Sequence, residues 1–462
     1  MKFLAHAKLM FLIFLNGYVS LSLELVVLRY LGFWVGSSAV VTSIIMGVFL
    51  GFMALGYYLG NGRFVRDANI PRTIGINFLV ISTLVLGAAS FPLISEYFAY
   101  LYSVGITSRI AQTFIYSVAL LSVGPFLFGF NTTLMSRMLD GKNKNHTGLI
   151  MAMDTIGSVL GSMITTLILM PIVGVNNTVI IICCAGLIGA MLMWRRWYVW
   201  IVVALLMSAC VLLNSDYYQR TRYGIIVNNA NSTIQVDDIN AGRVLYMNNL
   251  PMSLFYDVTR ASAEYINFIN NRYLYSIPRD VPRRILVLGA GGFTAGLDDD
   301  FNEYTYVDIE HTLKDIAENQ FLREKLGPNK HFIVQDASQY LKNIDQMYDV
   351  IILDVYSNSY QVPESLITAE FMMRIRDRVA PNGVVVMNII ASPTFDDEWS
   401  RVFDNTFHSV FTGNTARDVI GYFNPWQHTG NEPSNIIYAW YNRENSGRIY
   451  TVNNSSVVYD SY

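Results

Sequence analysis

Long apolar runs dominate the first half of the chain, whereas shorter apolar runs alternate with polar stretches in the second half. Seven segments before residue 214 are apolar for long enough to span a membrane: 8–31, 38–60, 74–95, 111–136, 148–170, 176–193 and 197–213. The second and fifth carry small residues at helical spacing, which favours close helix–helix packing over a substrate channel. The pattern predicts an α-helical transmembrane bundle of about seven helices over residues 1–213, and therefore a multi-pass protein of the cell membrane in contact with the lipid bilayer.

Two acids, Glu24 and Asp154, fall well inside predicted spans. Carboxylates are costly in lipid, so both are expected to face the bundle interior and a partner. Two interpretations remain open. A base such as Arg29 pairs with Glu24, or the acids help to move a cationic substrate.

Lysines and arginines cluster in the loops after the second, fourth and sixth predicted spans. Such loops are typical of the cytoplasmic side. Seven spans would then place the rest of the chain outside the cytoplasm, which would conflict with any substrate found in the cytosol. Either one span is miscounted or the second half works on the far side.

The second half predicts two domains. Short alternating strands over 222–250 indicate a small antiparallel β unit, joined by a helix at about 258–275, within residues 214–280. Over 281–462, strands and helices then alternate, which predicts an α/β domain with a Rossmann-like, methyltransferase-type parallel sheet. The predicted strands are 285–288, 304–309, 331–336, 348–354 and 384–389, and the predicted helices are 312–326, 337–343 and 368–379.

A glycine-rich turn follows the first of these strands. The apolar run 285–288 leads into Gly289, Gly291 and Gly292, then a short helical segment and a second strand that carries Asp308. Glycines at a tight turn and an acid about twenty residues on are typical of a nucleoside site, in which the acid holds the ribose hydroxyls. Thr294 stands where a dinucleotide motif has its third glycine, which favours an adenosyl ligand without a pyrophosphate. The alternative is a tight turn without a ligand.

Acids end three successive predicted strands: Asp308, Asp336 and Asp354. Ligands of open α/β sheets bind at this carboxyl edge. A single acid there is often a helix cap, but three together indicate a site.

Composition narrows the partners and the metal chemistry. Residues 1–213 contain five acids and twelve Lys or Arg, whereas residues 214–462 contain thirty acids and twenty bases. An acidic second half argues against nucleic acid as a partner, because neutralising phosphates needs a basic face. All three cysteines, Cys183, Cys184 and Cys210, lie in the first half, so the second half has neither a disulfide framework nor a thiolate metal site.

Nearly the whole chain resembles the membrane-fused spermidine synthases, that is, polyamine aminopropyltransferases. The resemblance rests on RYGIIV, RVLYMNN, LGAGGFTAG, YVDIE, VQDA, YDVIILDVYSNS and VPESLITAEFMMRIRDRVAPNGVVVMNI, and on LSLELVVLRYLG, MGVFLGFMALGYYLG and GLIMAMDTIGSVLGS in the apolar half. It implies decarboxylated S-adenosylmethionine as aminopropyl donor, a small amine as acceptor, and no metal.

The same resemblance implies the roles of individual residues. Asp354 would take the proton of the attacking amine. The glycine turn would hold the donor together with Asp308 and Asp336, and Tyr223, Tyr265 and Ser357 would contact the acceptor. A homodimer is left open.

The sequence departs from the family in three places. Gly292 stands where the family has an acid that holds the amine of the donor, and Ser357 stands where it has a second acid near the catalytic one. The first helix of the α/β domain is also shorter. Two other functions therefore stay open: methyl transfer from S-adenosylmethionine, and a non-catalytic transporter or sensor that binds polyamine or nucleoside.

Overall fold

The computed structural model describes residues 2–36, 39–62, 65–139, 147–229, 232–356, 364–422 and 433–443. The chain divides into two compact units. The first comprises Met1–Asp237 with Leu245–Pro251, and the second comprises Asp238–Val244 with Met252–Tyr462.

The first unit is built mainly from helices. They are α1 (Lys2–Val35), α2 (Ala39–Gly60), α3 (Ile70–Ala89), α4 (Phe91–Ser103), α5 (Arg109–Tyr116), α6 (Val123–Leu139), α7 (Thr147–Ile164), α8 (Met170–Met193), α9 (Trp197–Leu213) and α10 (Asp216–Tyr223). Within the described residues, four helical stretches are long and apolar enough to cross a membrane, or up to six if each of two bent helix pairs is one span. The four are His6–Val35, Ala39–Gly60, Asp67–Ala89 and Thr147–Met193.

One predicted span is wrong at its end. The segment 74–95 is interrupted at Ser90, where the backbone is extended (φ −101°, ψ 124°) and separates α3 from α4. Pro92 lies in the first turn of α4, where proline is tolerated, whereas it would disrupt the interior of a continuous helix. Because apolar residues lie on both sides of Ser90, the hydrophobic pattern gives no sign of the break.

Small residues bring two pairs of helices into backbone contact. A Cβ added at Gly157 or Gly161 of α7 would overlap the Phe14 or Tyr18 carbonyl of α1. A Cβ at Gly56 of α2 would likewise overlap the Phe126 carbonyl of α6. The predicted packing role of the small residues is therefore confirmed for these positions.

The stretch Thr147–Met193 runs along the bundle and back. Its first part is parallel to α1, since Gly157 lies against Phe14 and Thr165 donates to the Ser22 hydroxyl at 2.8 Å. The backbone then leaves the helical region at Gly174 (φ 81°, ψ 167°). The second part is antiparallel to α3, with Gly186 against Ser82 and, further along, Trp194 against Gly75.

Basic loops meet at one end of the bundle, where α6 ends and α3 begins; we call it the basic end. Arg137 donates to the Val65 carbonyl at 2.9 Å and pairs with Asp67 at 2.6 Å. Arg72 lies over the Trp194 ring, 5.6 Å from its centre. The loops that follow α2, α6 and α8 therefore lie on one side, as the charge pattern predicts.

The opposite end, which we call the far end, holds a polar network. Asn228 donates to the Asn176 carbonyl at 2.8 Å and to the Tyr30 hydroxyl at 3.3 Å. Arg29 donates to the Asn229 carbonyl at 3.0 Å and to Thr233. Arg29 is therefore held by the chain that follows the bundle, and it is not an ion-pair partner of Glu24.

A four-stranded sheet follows, in the order β1 (Ile225–Asn228), β2 (Thr233–Ile239), β3 (Gly242–Met247) and β4 (Leu250–Tyr256). The predicted small β unit is confirmed, but β4 was missed. The predicted unit begins at residue 222, whereas the first strand begins only at Ile225. Tyr223 ends α10, and Gly224 closes that helix in the left-handed conformation (φ 65°) before β1 begins.

The second unit contains a seven-stranded sheet in the order β10-β11-β9-β8-β5-β6-β7. Its strands are β5 (Arg284–Leu288), β6 (Glu303–Asp308), β7 (Lys330–Val334), β8 (Tyr348–Leu353), β9 (Val379–Ala391), β10 (Thr415–Tyr422) and β11 (Ser434–Tyr441). Its helices are α11 (Glu264–Ile269), α12 (Leu313–Ile316), α13 (Ala337–Lys342), α14 (Ala369–Arg376) and α15 (Glu398–Val410). Strands β7, β6, β5, β8 and β9 are parallel, and β11 and β10 add an antiparallel pair. The predicted Rossmann-like, methyltransferase-type sheet is confirmed.

The predicted helix after the glycine turn is wrong. Residues 289–302 form successive turns instead. Asp299, which is 1% exposed, holds them by accepting from the Phe301 amide at 3.0 Å, the Asn302 side chain at 2.6 Å and the Tyr304 hydroxyl at 2.8 Å. These side-chain bonds take the place of a helical ladder, so no helix N-terminus faces the glycine turn.

Candidate active site

The glycine turn packs directly on the end of the neighbouring strand. Gly289 has φ 92°, and a Cβ there would overlap the Asp354 carbonyl oxygen. The Asp354 amide in turn donates to the Leu288 carbonyl at 2.9 Å. Only glycine permits both the backbone conformation and the close approach, so the turn and Asp354 are fixed against each other.

Asp308 reaches back from the end of β6 to this turn. Its Oδ2 accepts from the Ala290 amide at 3.0 Å, and its Oδ1 accepts from the Glu310 amide at 3.0 Å. Burial raises the pKa of Asp308, while these backbone hydrogen bonds limit the rise. Each carboxylate oxygen can accept a further hydrogen bond, so the group can still receive ribose hydroxyls.

Asp336 follows β7 at the same edge of the sheet. It is the N-cap of α13, because its Oδ1 accepts from the Gln339 amide at 2.9 Å. Asp336 therefore caps a helix, and its predicted role in holding the donor stays a prediction. Its second oxygen, Oδ2, accepts no hydrogen bond from the part of the chain that the structure describes.

Asp354 follows β8 and has two side-chain donors. The Tyr265 hydroxyl donates to Oδ2 at 3.0 Å, and the Asn388 amide donates to Oδ1 at 2.9 Å. Burial raises the pKa of Asp354, and the bonds from Asn388 and Tyr265 oppose that rise. Two donors on different elements fix the orientation of the carboxylate, and the raised pKa makes it a stronger base than an exposed aspartate.

A second tyrosine supports this pair. The Tyr356 hydroxyl donates to the Asn388 carbonyl at 2.8 Å. Asn388 is 1% exposed, and its Oδ1 has no hydrogen-bond partner in the described part of the chain. Sequence reasoning missed Asn388 and Tyr356. The signal was available for Asn388, since it is a polar residue at the end of the apolar run VVVMNI.

The structure brings most of the predicted site residues to one edge. β7, β6, β5 and β8 are adjacent and parallel, so Asp336, Asp308, the glycine turn and Asp354 follow one another along their carboxyl ends. Tyr265 joins them through Asp354. The roles of these residues in binding and catalysis stay predictions.

The other two predicted acceptor contacts, Tyr223 and Ser357, stay predictions. Tyr223 lies in the first unit, where its hydroxyl donates to Glu96 at 3.4 Å and its ring packs edge-on against Phe91. Ser357 lies outside the described residues.

Gly292 leaves no room for the acid that the resemblance leads one to expect. A Cβ there would overlap the Phe321 ring, and the Gly292 amide donates to the Ser253 hydroxyl at 2.8 Å. Phe321 and Ser253 therefore occupy the space into which a larger side chain would extend. In the described residues, no group of three or more His, Cys, Asp or Glu could hold a metal ion.

Comparison with known proteins shows what the chain is similar to. No family model matches the chain. The polyamine aminopropyltransferase of Vibrio vulnificus is 31% identical over 137 residues, which is 28% of this chain and 45% of that protein. The polyamine aminopropyltransferase 2 of Hyperthermus butylicus is 31% identical over 140 residues, which is 28% of this chain and 46% of that protein. The chain is similar to polyamine aminopropyltransferases.

The predicted resemblance to that family is thus confirmed, whereas fusion to a membrane bundle is not part of the match. The chain spans about half the length of the curated relatives it matches. A eEF1A lysine and N-terminal methyltransferase homolog of Drosophila melanogaster is also similar, 24% identical over 147 residues, covering 29% of this chain and 21% of that protein.

Solved structures of similar fold include a probable spermidine synthase from Corynebacterium glutamicum. It has a TM-score of 0.38 and 20% identity, and the match covers 48% of this chain and 80% of that one. The spermidine synthase of Thermotoga maritima has a TM-score of 0.35 and 16% identity, covering 46% of this chain and 70% of that one.

Proposed function

We propose that the chain transfers an aminopropyl group from decarboxylated S-adenosylmethionine to a small amine, with Asp354 as the base. The observation that carries the proposal is the half-buried Asp354 carboxylate, held by Tyr265 and Asn388 directly beside the glycine turn. The similarity of the chain to polyamine aminopropyltransferases supports the same reaction.

The chemistry is a displacement at carbon. A neutral amine nitrogen attacks the carbon next to the sulfonium, a C–N bond forms, and the C–S bond breaks. The electron pair of that bond goes to sulfur, so methylthioadenosine leaves as a neutral thioether. The proton that the acceptor's ammonium group must lose to become a neutral amine goes to an oxygen of Asp354.

Asp354 suits this step for two reasons. Acceptor amines are mostly protonated at neutral pH, and a carboxylate attracts the cation before it accepts the proton. The raised pKa of Asp354 lies closer to the pKa of the acceptor amine than that of an exposed aspartate does, and this favours proton transfer.

The adenosyl part of the donor has a matching binding surface. Asp308 would accept the ribose hydroxyls, while the backbone of Gly289 and Gly291 permits close approach of the nucleoside. Asp336 would accept from the adenine amine with the oxygen that does not cap α13. No phosphate contact is required of the turn, which agrees with the absence of a helix N-terminus at residues 289–302.

One observation favours a second candidate, methyl transfer from S-adenosylmethionine. Phe321 and Ser253 fill the space beside Gly292, so the glycine turn cannot supply a carboxylate to the ammonium of an aminopropyl donor. A charge-assisted hydrogen bond of that kind contributes about 1.5–3 kcal/mol. The chain is also similar to a protein named as a methyltransferase homolog, which supports this second candidate.

Product analysis separates the two reactions. The purified full-length protein is incubated with each donor and a panel of diamines and monoamines. Aminopropyl transfer yields methylthioadenosine and an amine heavier by one aminopropyl group. Formation of S-adenosylhomocysteine and a methylated product would instead establish the methyl donor.

We also propose that the first unit lies in the cell membrane with its basic end in the cytoplasm. Six candidate spans, one of which runs along the bundle and back, give seven passes. β1 leaves the bundle at the far end, through Asn228 and its bonds to Asn176 and Tyr30. The second unit would then work on the non-cytoplasmic side.

A further inference from the structure

A buried polar file runs along one face of α1. Asn16, Ser20 and Glu24 are 1%, 2% and 5% exposed. They are four residues apart, so they lie on the same face of the helix. At 1.5 Å per residue the file covers about 12 Å of the bundle axis.

Two buried polar atoms of this file lack partners. Asn16 Oδ1 and Ser20 Oγ have no hydrogen-bond partner in the described part of the chain. Other buried hydroxyls of this bundle bond to the carbonyl four residues back; Ser82 donates to Phe78 at 2.9 Å and Ser117 donates to Thr113 at 2.8 Å. Leaving a buried polar atom unpaired costs about 1–3 kcal/mol, so the file is unfavourable unless something else occupies it.

Glu24 adds an acid to the file. In the part of the chain that the structure describes, the Glu24 side chain makes no hydrogen bond or ion pair. Arg29, the base nearest to it along the chain, is engaged by Asn229 and Thr233. An ionisable group inside a membrane bundle without a fixed partner is typical of a proton or ion pathway.

A second acid meets the other end of the file. Asn16 Nδ2 lies 3.4 Å from Asp154 Oδ1, and it also donates to the Thr132 hydroxyl at 3.1 Å. The Tyr57 hydroxyl donates to Asp154 Oδ2 at 3.5 Å. Four helices, α1, α2, α6 and α7, thus converge on Asp154 with oxygen and amide groups.

We propose that this file is a proton path through the bundle, with Asp154 and Glu24 as the groups that take up and release the proton. The inference rests on the proposed membrane placement of the first unit and is independent of the transferase reaction. A proton leaves a protonated carboxyl, passes along water held by Ser20 and Asn16, and is accepted by the other carboxylate. Charge moves, but no bond other than O–H is made or broken.

The packing of the helices selects a proton over an organic cation. α1 touches α7 through the backbone at Gly157 and Gly161, and α2 touches α6 at Gly56. Helix pairs in backbone contact cannot separate without losing that packing, so the file cannot widen for an amine. Water and a proton need no such widening.

The file points to water-accessible groups at the far end. About 9 Å beyond Glu24 along α1 lies Tyr30, at the 1.5 Å rise of a helix. Tyr30 bonds to Asn176 at 3.3 Å, and Asn176 donates to Asp216 at 3.2 Å. Asn176 and Asp216 line a cavity of about 360 Å³ in the first unit, which gives the proton a route to solvent.

A flux measurement tests the path. The full-length protein is reconstituted in liposomes that contain a pH-sensitive dye, and a potassium diffusion potential drives protons inward. The wild type is expected to acidify the lumen faster than protein-free liposomes. Glu24→Gln and Asp154→Asn are expected to reduce the rate to that of protein-free liposomes, whereas Asp67→Asn at the exposed basic end leaves it unchanged.

Three results would overturn the proposal: wild-type flux equal to that of empty liposomes, flux that survives both substitutions, or equal loss in Asp67→Asn. Infrared difference spectra on a pH step give a second test that needs no transport. They should show a carboxyl C=O band that is absent in Glu24→Gln, and its presence in that variant at full strength would contradict the role of Glu24.

Discussion

Removing the Tyr265 hydroxyl should change the acidity of Asp354 without removing the base. In Tyr265→Phe the ring stays, while the bond from the hydroxyl to Asp354 Oδ2, 3.0 Å long, is lost. That bond opposes the rise in pKa that burial causes, so its loss raises the pKa of Asp354 further. A hydrogen bond to a charged group contributes about 1.5–3 kcal/mol, and about 1.36 kcal/mol corresponds to one pH unit, so the expected rise is about one to two pH units.

The assay is the pH profile of kcat/KM for aminopropyl transfer. Asp354 must be ionised to act as a base, so activity falls as pH drops through its pKa. Raising that pKa moves the acidic limb of the profile to higher pH by the same amount. At pH values well above the limb, Tyr265→Phe should retain most of its activity.

Tyr356→Phe is the matched control. The Tyr356 hydroxyl donates to the Asn388 carbonyl and not to the carboxylate of Asp354. Its acidic limb should stay where the wild type has it. An unmoved limb in Tyr265→Phe, or an equal movement in both variants, would refute the assignment of Tyr265 as the group that sets the acidity of Asp354.

Three further outcomes are expected. Asp308→Ala should abolish methylthioadenosine binding in calorimetry, and unchanged affinity would remove Asp308 from the ribose site. Gly292→Ala should lower stability by about 1–3 kcal/mol in denaturant titrations, since its Cβ would overlap the Phe321 ring; unchanged stability would show that the space is open. A reporter enzyme that works only outside the cytoplasm should be active when it is fused after Tyr462. Activity of a reporter that works only in the cytosol, fused at the same position, would contradict the proposed orientation.

The parallel core was predictable because its signals are local. Buried parallel strands read as short apolar runs, and β5, β6 and β8 each end in glycine or acid. Since parallel strands share a carboxyl edge, Asp308, Asp336 and Asp354 could be assigned to one edge without knowledge of side-chain contacts.

What failed depends on contacts between distant residues. Asp299 holds the turns after Gly289 through its bonds with Asn302 and Tyr304. In the sequence LDDDFNEY, nothing distinguishes Asp299 from the acids next to it. Likewise, the loss of space beside Gly292 comes from Phe321, which lies about thirty residues away in the chain. A resemblance can show that an acid is missing, but only the packing shows what takes its place.

The helical first unit shows the same contrast. The length of the apolar runs predicts where the segments are. It cannot show the break at Ser90 or the reversal at Gly174, because both are changes of backbone conformation within apolar sequence. Of the two interpretations left open for Glu24, pairing with Arg29 does not hold, for a related reason. Arg29 is close along the helix, but bonds with Asn229 and Thr233 hold it at the far end.

The most direct test of the central claim compares Asp354→Asn with Asp349→Asn in the same product assay. Asp354 directly follows β8, whereas Asp349 lies near the amino end of that strand, where it accepts from the Arg284 amide at 2.9 Å. With decarboxylated S-adenosylmethionine and a diamine, the wild type and Asp349→Asn should form methylthioadenosine and the aminopropylated amine. Asp354→Asn should bind methylthioadenosine normally and lower turnover by about 10²–10⁴, the usual contribution of a positioned base. Full turnover in Asp354→Asn, or no aminopropylated product from the wild type with any amine, would contradict the proposed reaction.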